Sequence, residues 1–189
     1  MNRREALSTA SLFAGGVIIG TGNILSGCNP TKRESIYGIL DRNQLSIVEE
    51  LAESILPKTE SSPGAKDVEI GKYINSMISD CFDEVTQNTV VNGIKKLVEL
   101  SQSKFEKKFS KLDANDKNEL LLILEVESKI YNKNLSPGNQ AHYYTIMKGL
   151  TLSGYRSSKI IGTTVFRNVP IPGRYEGCIP YEQGEKTYI

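Results

Sequence analysis

Few side chains in this sequence have the chemistry of a reactive centre. There is one histidine, His142, and there are three cysteines, Cys28, Cys81 and Cys178. A single histidine cannot supply a His-rich metal site or a paired-histidine zinc motif, and any nucleophilic triad would have to be built around that one imidazole. His142 stands where a helix is expected to begin, and it reads as a partly exposed helix-start residue. Asp80, Asp83 and Glu84 gather near one helix end, but carboxylates grouped in this way form a solvated face more often than an acid–base pair. Gly15-Gly16 and Gly20-x-Gly22 fall in the N-terminal leader, and Pro63-Gly64-Ala65 reads as a turn. None has the preceding strand and following helix that a dinucleotide- or phosphate-binding loop requires. No catalytic, cofactor-binding or metal-binding residue is expected in this chain.

The elements around these residues begin with an address label. "MNRREALSTASLFAGGVIIGTGNILSGC" has a basic start, an apolar run softened by Gly, Ser and Thr, and a small-residue site ending in cysteine. "NRREAL" resembles a twin-arginine export signal with Arg3 and Arg4 as the pair, although Asn2 and Ala6 depart from the usual residues. "LSGC" resembles a lipobox, which makes Cys28 the acylated first residue of the mature chain. The run is also about long enough for a transmembrane anchor. Its Gly, Thr and Asn content and its abrupt cysteine favour a cleaved signal over residues 1–27, followed by a tether over 28–40. Acyl chains on Cys28 would hold the protein by burial worth about 0.8 kcal/mol per CH₂.

A chain of helices follows. "NQLSIVEELAESILP" places Leu45, Val48, Leu51, Ala52 and Ile55 on one face, with Asp41 or Asn43 as N-cap and Pro57 as the stop. "VEIGKYINSMISDCF" aligns Ile70, Tyr73, Ile74, Met77, Ile78, Cys81 and Phe82. Residues 84–109 carry Val91, Ile94, Leu97, Val98, Phe105 and Phe109 at looser helical spacing and are expected to form one long helix. Asp113 caps the next helix, whose "ELLLILEVE" is apolar enough to be central. A last helix is expected over "NQAHYYTIMKGLTLSG", ending at Gly154. The fold class is therefore all-α, a multi-helix bundle of about five helices over 41–163.

Residues 164–189 form an irregular C-terminal arm rich in Pro and Gly. An arm with no stripe of its own to bury must pack on the domain or on a partner. At 189 residues and 39% hydrophobic content the chain suits one globular domain. Formal charge is +1, and without Arg3, Arg4 and Glu5 the chain keeps 21 basic and 21 acidic residues. That balance leaves no footprint for nucleic acid.

"ESILPKTESSPGAKDVEIGKYINSMI", residues 53–78, resembles the signature of the gluconate 2-dehydrogenase subunit 3 family: a helix ending at I-[IL]-P, a T-x-x-x-PGA turn, and an apolar helix. "LTLSGYRSSKIIG" and "PIPGRYEGCIPYEQG" resemble two further landmarks, a G-Y-x-[ST] corner and a P-G-x-Y-x-G-C segment. Arg156-Ser157 stands where members often have Phe-Thr, and a final Trp is absent. The resemblance implies a small accessory subunit of a flavin-dependent sugar or alcohol dehydrogenase of the glucose-methanol-choline type. FAD would sit in the large partner subunit; in such complexes a cytochrome subunit often takes the electrons, and which protein accepts them here is left open by the sequence. This chain would support export, maturation and stability on the periplasmic side of a bacterial membrane, anchored through lipid. A stand-alone helical lipoprotein acting as a binding or structural module is the alternative reading, and an enzyme in its own right is a third.

With Cys28 acylated, Cys81 and Cys178 are the remaining thiols, in a compartment where disulfides persist. Cys81, beside Ile78 and Phe82, reads mainly as a buried apolar residue. An 81–178 bond would close a loop of about 100 residues and contribute about 4 to 5 kcal/mol in the chain-entropy model. Alternatively Cys178 bonds a cysteine of the large subunit, with Tyr175, Ile179, Pro180 and Tyr181 supplying the contacts around it. Two free thiols are the third possibility.

Overall fold

The computed structural model describes residues 38–169, 171, 173, 177–180 and 182–188. Arg3, Arg4, Cys28, Tyr175 and Tyr181 lie outside the described residues.

Helix α1 (Arg42–Ile55) begins where local chemistry dictates. The Asp41 carboxylate accepts from Gln44 N–H at 2.8 Å, and the Gln44 side-chain oxygen accepts from Asp41 N–H at 3.0 Å. This reciprocal pair chooses Asp41 over Asn43 as the cap. Val48, Leu51 and Ala52 are buried, and Leu56 closes the helix on the Ala52 carbonyl before Pro57. Residues 38–40, read as the end of the tether, are built into the domain instead. Leu40 is buried, its N–H donates to Asn75 Oδ1 at 3.1 Å, and Ile39 N–H donates to Ser79 Oγ at 2.9 Å.

Helix α2 (Ile70–Cys81) buries Ile70, Ile74 and Ile78 as its spacing predicts. Helix α3 (Glu84–Phe105) is capped by Asp83, which accepts from Thr86 N–H at 2.9 Å. It stops short of 109, because Glu106 takes a left-handed conformation (φ 54°) and ends the hydrogen-bond ladder. Phe109 is buried in a separate one-turn helix, Phe109–Lys111. The α3 core face is Val90, Gly93, Ile94, Leu97 and Ser101, one position away from the expected Val91 and Val98, which are half-buried.

The largest departure concerns which helix is central. Helix α4 (Ala114–Lys133), capped by Asp113, buries Leu120, Leu124 and Ser128 along one face. Leu122, Val126 and Ile130 are 68%, 57% and 59% exposed on another. A density of apolar residues is not a buried face, and "ELLLILEVE" distributes its leucines around the helix. The central position belongs to α5 (Tyr143–Ser157), which packs against α1, α2, α3 and α4. It starts four residues later than the expected Asn139 and runs through Gly154 rather than ending there. A short sixth helix, α6 (Lys159–Thr164), was not expected; it is capped by Ser158 and buries Ile161. No strand occurs among the described residues, and the fold is an all-α bundle as the sequence implies.

Candidate functional site

His142 caps the start of α5. It is 7% exposed rather than partly exposed, because its ring packs between Tyr131 and Tyr143. Its Nδ1 accepts from Tyr144 N–H at 3.3 Å, its backbone N–H donates to Asn132 Oδ1 at 2.9 Å, and Nε2 lies 3.6 Å from Glu127. Burial lowers its pKa, with Glu127 opposing part of that shift. The imidazole is thereby held as a neutral acceptor that caps α5. No cluster of three or more metal-ligating side chains occurs among the described residues.

The loop between α1 and α2 is built with more care than a connection requires. Glu53, on the last turn of α1, accepts from Lys58 N–H at 3.0 Å and from Lys66 N–H at 2.8 Å, so one carboxylate closes both ends of the loop. Gly64 lies against that carboxylate, and a β-carbon there would stand 2.4 Å from Glu53 Oε1. Gly64 N–H donates to Asp67 Oδ2 at 2.9 Å, and this bond, followed by Lys58, holds the Asp67 carboxyl below its ordinary range. Behind the loop, Glu50 accepts from Lys66 and, at 2.8 Å, from Lys117 of α4. Burial raises the Glu50 pKa, but the two lysines outweigh it and the net shift is downward.

The same loop is fastened to the Gly-Tyr corner of α5. Tyr155 Oη donates to the Pro63 carbonyl at 2.6 Å and lies 2.7 Å from Ser62 Oγ. Gly154 lets α2 approach, since a β-carbon there would be 2.4 Å from the Tyr73 ring. Two motifs about 90 residues apart in the sequence are thus joined by one phenol. Tyr155→Phe is expected to lower stability by about 1 to 2 kcal/mol, because the Pro63 carbonyl and Ser62 lose their partner in a half-buried setting. Urea unfolding measures it, and an unchanged midpoint would remove the phenol from any role in fixing the loop.

Beyond α6 the chain forms a closed arm. Arg167 N–H donates to the Thr187 carbonyl at 2.9 Å, the guanidinium lies 4.8 Å over the Tyr188 ring, and Nη1 is 3.9 Å from Glu185. These contacts tie the two ends of the arm together at Arg167. Within it Ile171 is 85% exposed, and Cys178, Ile179 and Pro180 are also exposed. Cys81 and Cys178 are both free and both exposed. Cys81 departs from the buried reading because it is the last residue of α2, where the chain turns away at Phe82; its nearest sulfur neighbour is Met77, at 4.0 Å.

A family model described as gluconate 2-dehydrogenase subunit 3 matches residues 42–173. The chain belongs to this family. The matched stretch runs from α1 into the arm and includes the loop and corner that Tyr155 joins. It ends at Gly173, before Cys178. No curated protein and no solved structure matches the chain. Among the described residues no helix is long and apolar enough to cross a membrane.

The matched stretch contains the first two landmarks read from the sequence, the PGA turn and the Gly-Tyr corner, and ends within the third; the roles of Glu53, Glu50 and Arg167 were not legible. A carboxylate four residues before a helix-ending proline is a weak signal for Glu53. Arg167 offered none.

Proposed function

We propose that this chain is the non-catalytic small subunit of a periplasmic, membrane-associated flavin dehydrogenase complex of the glucose-methanol-choline type. It supports the export, maturation and stability of the large catalytic subunit, which holds the FAD; a cytochrome subunit takes the electrons. Cys28 carries the lipid that keeps the assembly at the membrane, and Arg3 and Arg4 direct its export. Family membership supports the role of a subunit. The observation that carries the reading further is the arm, a loop closed at Arg167 that turns Ile171, Cys178 and Ile179 to solvent. Exposed apolar side chains on a segment whose ends are already tied together cost less ordering entropy when a second surface covers them. Cys178, with Tyr175, Ile179, Pro180 and Tyr181 around it, is the contact to that surface.

Native purification from the organism's own cells tests this. The chain is expected to bring down a yellow, flavin-bearing protein, and a covalent heterodimer should appear on non-reducing electrophoresis and vanish on reduction and in Cys178→Ser. A colourless monomer would favour the stand-alone lipoprotein. A peptide linking Cys81 to Cys178 would end the assignment of Cys178 to the partner.

A further inference from the structure

The corner between α5 and α6 encloses a cleft of about 380 Å³ whose chemistry is one-sided. Among the described residues, Arg156 and Lys159 line it, no carboxylate does, and neither cation has an ion-pair partner. The hydroxyls at its wall are committed to the backbone. Ser157 Oγ donates to the Ser153 carbonyl at 2.9 Å, Thr163 Oγ1 donates to the Lys159 carbonyl at 2.8 Å, and Ser158 Oγ accepts from Ile161 N–H at 3.2 Å. The donors left for an occupant are the Arg156 guanidinium, the Lys159 ammonium, the Asn168 amide and the Ser158 O–H, whose oxygen only accepts within the helix cap. Donors lining one space, two of them charged, suit an acceptor with two oxygens.

We infer that this cleft receives an aspartate or glutamate side chain of the large subunit and sets the register of docking; the inference rests on the accessory-subunit reading. Two features favour a protein carboxylate. The cleft is fixed on both sides, by Tyr155 bonded to Pro63 next to Arg156 and by Arg167 bonded to Thr187 next to Asn168. Its cations are therefore carried on backbone that is already ordered before a partner arrives. It also adjoins the root of the arm, so an interface covering Ile171 and Cys178 continues onto it. Charge pairs at such a place govern partner choice and rate of encounter more than total affinity.

The test uses the full-length chain in its own cells, with the flavin absorbance recovered per mole of chain as the readout. In wild type, recovery is expected to fall as the salt of the wash rises. Arg156→Glu with Lys159→Glu should lower recovery at low salt by about tenfold or more, because like charges then face each other. Arg156→Gln with Lys159→Gln should lower it less and remove the salt dependence. Both substituted positions, Arg156 and Lys159, are exposed, and unchanged helicity by circular dichroism confirms that folding is intact. Wild-type chain that recovers no flavoprotein overturns the accessory-subunit reading. Wild-type chain that recovers it while the Glu variant does equally well overturns the cleft alone. Loss of membrane retention with flavoprotein recovery unchanged would assign the cations to a lipid surface and overturn it too.

Discussion

Gly93→Val protein is expected to lose about 3 kcal/mol of stability and to melt roughly 6 to 12 °C below wild type. Gly93 is buried on α3, where a β-carbon would stand 2.1 Å from Tyr143 Cγ and 2.4 Å from Cδ2. Tyr143 has nowhere to go. It is the first residue of the central helix, it is buried, and its ring is fixed against His142 at 4.5 Å between centroids. The two helices must separate, and the core of α5 separates with them. The intrinsic preference of valine over glycine within a helix offsets only a few tenths of a kcal/mol. Gly149 provides the control, since it lies exposed on α5 with nothing within 4 Å of a built β-carbon. Gly149→Ala should stabilise by about 0.5 to 1 kcal/mol. Thermal and urea unfolding of both proteins measures the contrast, and a Gly93→Val protein as stable as wild type would show that close approach of α3 and α5 does not limit packing.

The same pair of glycines shows what the sequence could and could not convey. Helices α1 and α2 were legible because each combines one clean apolar face with a cap or a stop, and those are local signals. Helix α5 was legible as a helix but not as the centre. Its buried face includes Thr151, Gly154 and three tyrosines, residues that hydropathy ranks below the leucines of α4, yet Thr151 bonds its own Met147 carbonyl and is fully buried. Position in a bundle depends on which faces other helices cover, and periodicity in one helix carries no information about its neighbours. Glu53 and Arg167 were missed for a related reason. Glu53 accepts from the backbone at Lys58 and Lys66, and Arg167 donates its own backbone N–H to the Thr187 carbonyl, groups that any residue type could supply; the side chains that meet the Arg167 guanidinium, Tyr188 and Glu185, come from the far end of the arm. The PGA turn and the Gly-Tyr corner were legible as separate strings; that Tyr155 binds Pro63 is a fact of the tertiary fold alone. Cys81 followed the helical pattern faithfully and was still misplaced, since periodicity describes a direction around the helix and not how far its neighbours extend along it.

Export should be the most sensitive property of the intact system. On the proposed reading, Arg3→Lys together with Arg4→Lys leaves this chain and its flavin-bearing partner in the cytoplasm. The substitution is chosen because lysine keeps the positive start that any secretory signal needs, while removing the planar, multiply donating guanidinium pair. A general secretion route would tolerate the change, and twin-arginine export would not. The route also has to suit the cargo. The described domain is a finished tertiary structure, with loop and corner locked across about 90 residues by Tyr155, and a flavoprotein riding with it would likewise be folded and loaded before crossing. Fractionating cells and following both proteins by antibody, with flavin absorbance for the partner, gives the result directly. Retention of both proteins supports a shared, folded passage directed by this signal. Unchanged delivery of both refutes the twin-arginine assignment, and retention of this chain with normal delivery of the partner shows that the large subunit travels on a signal of its own.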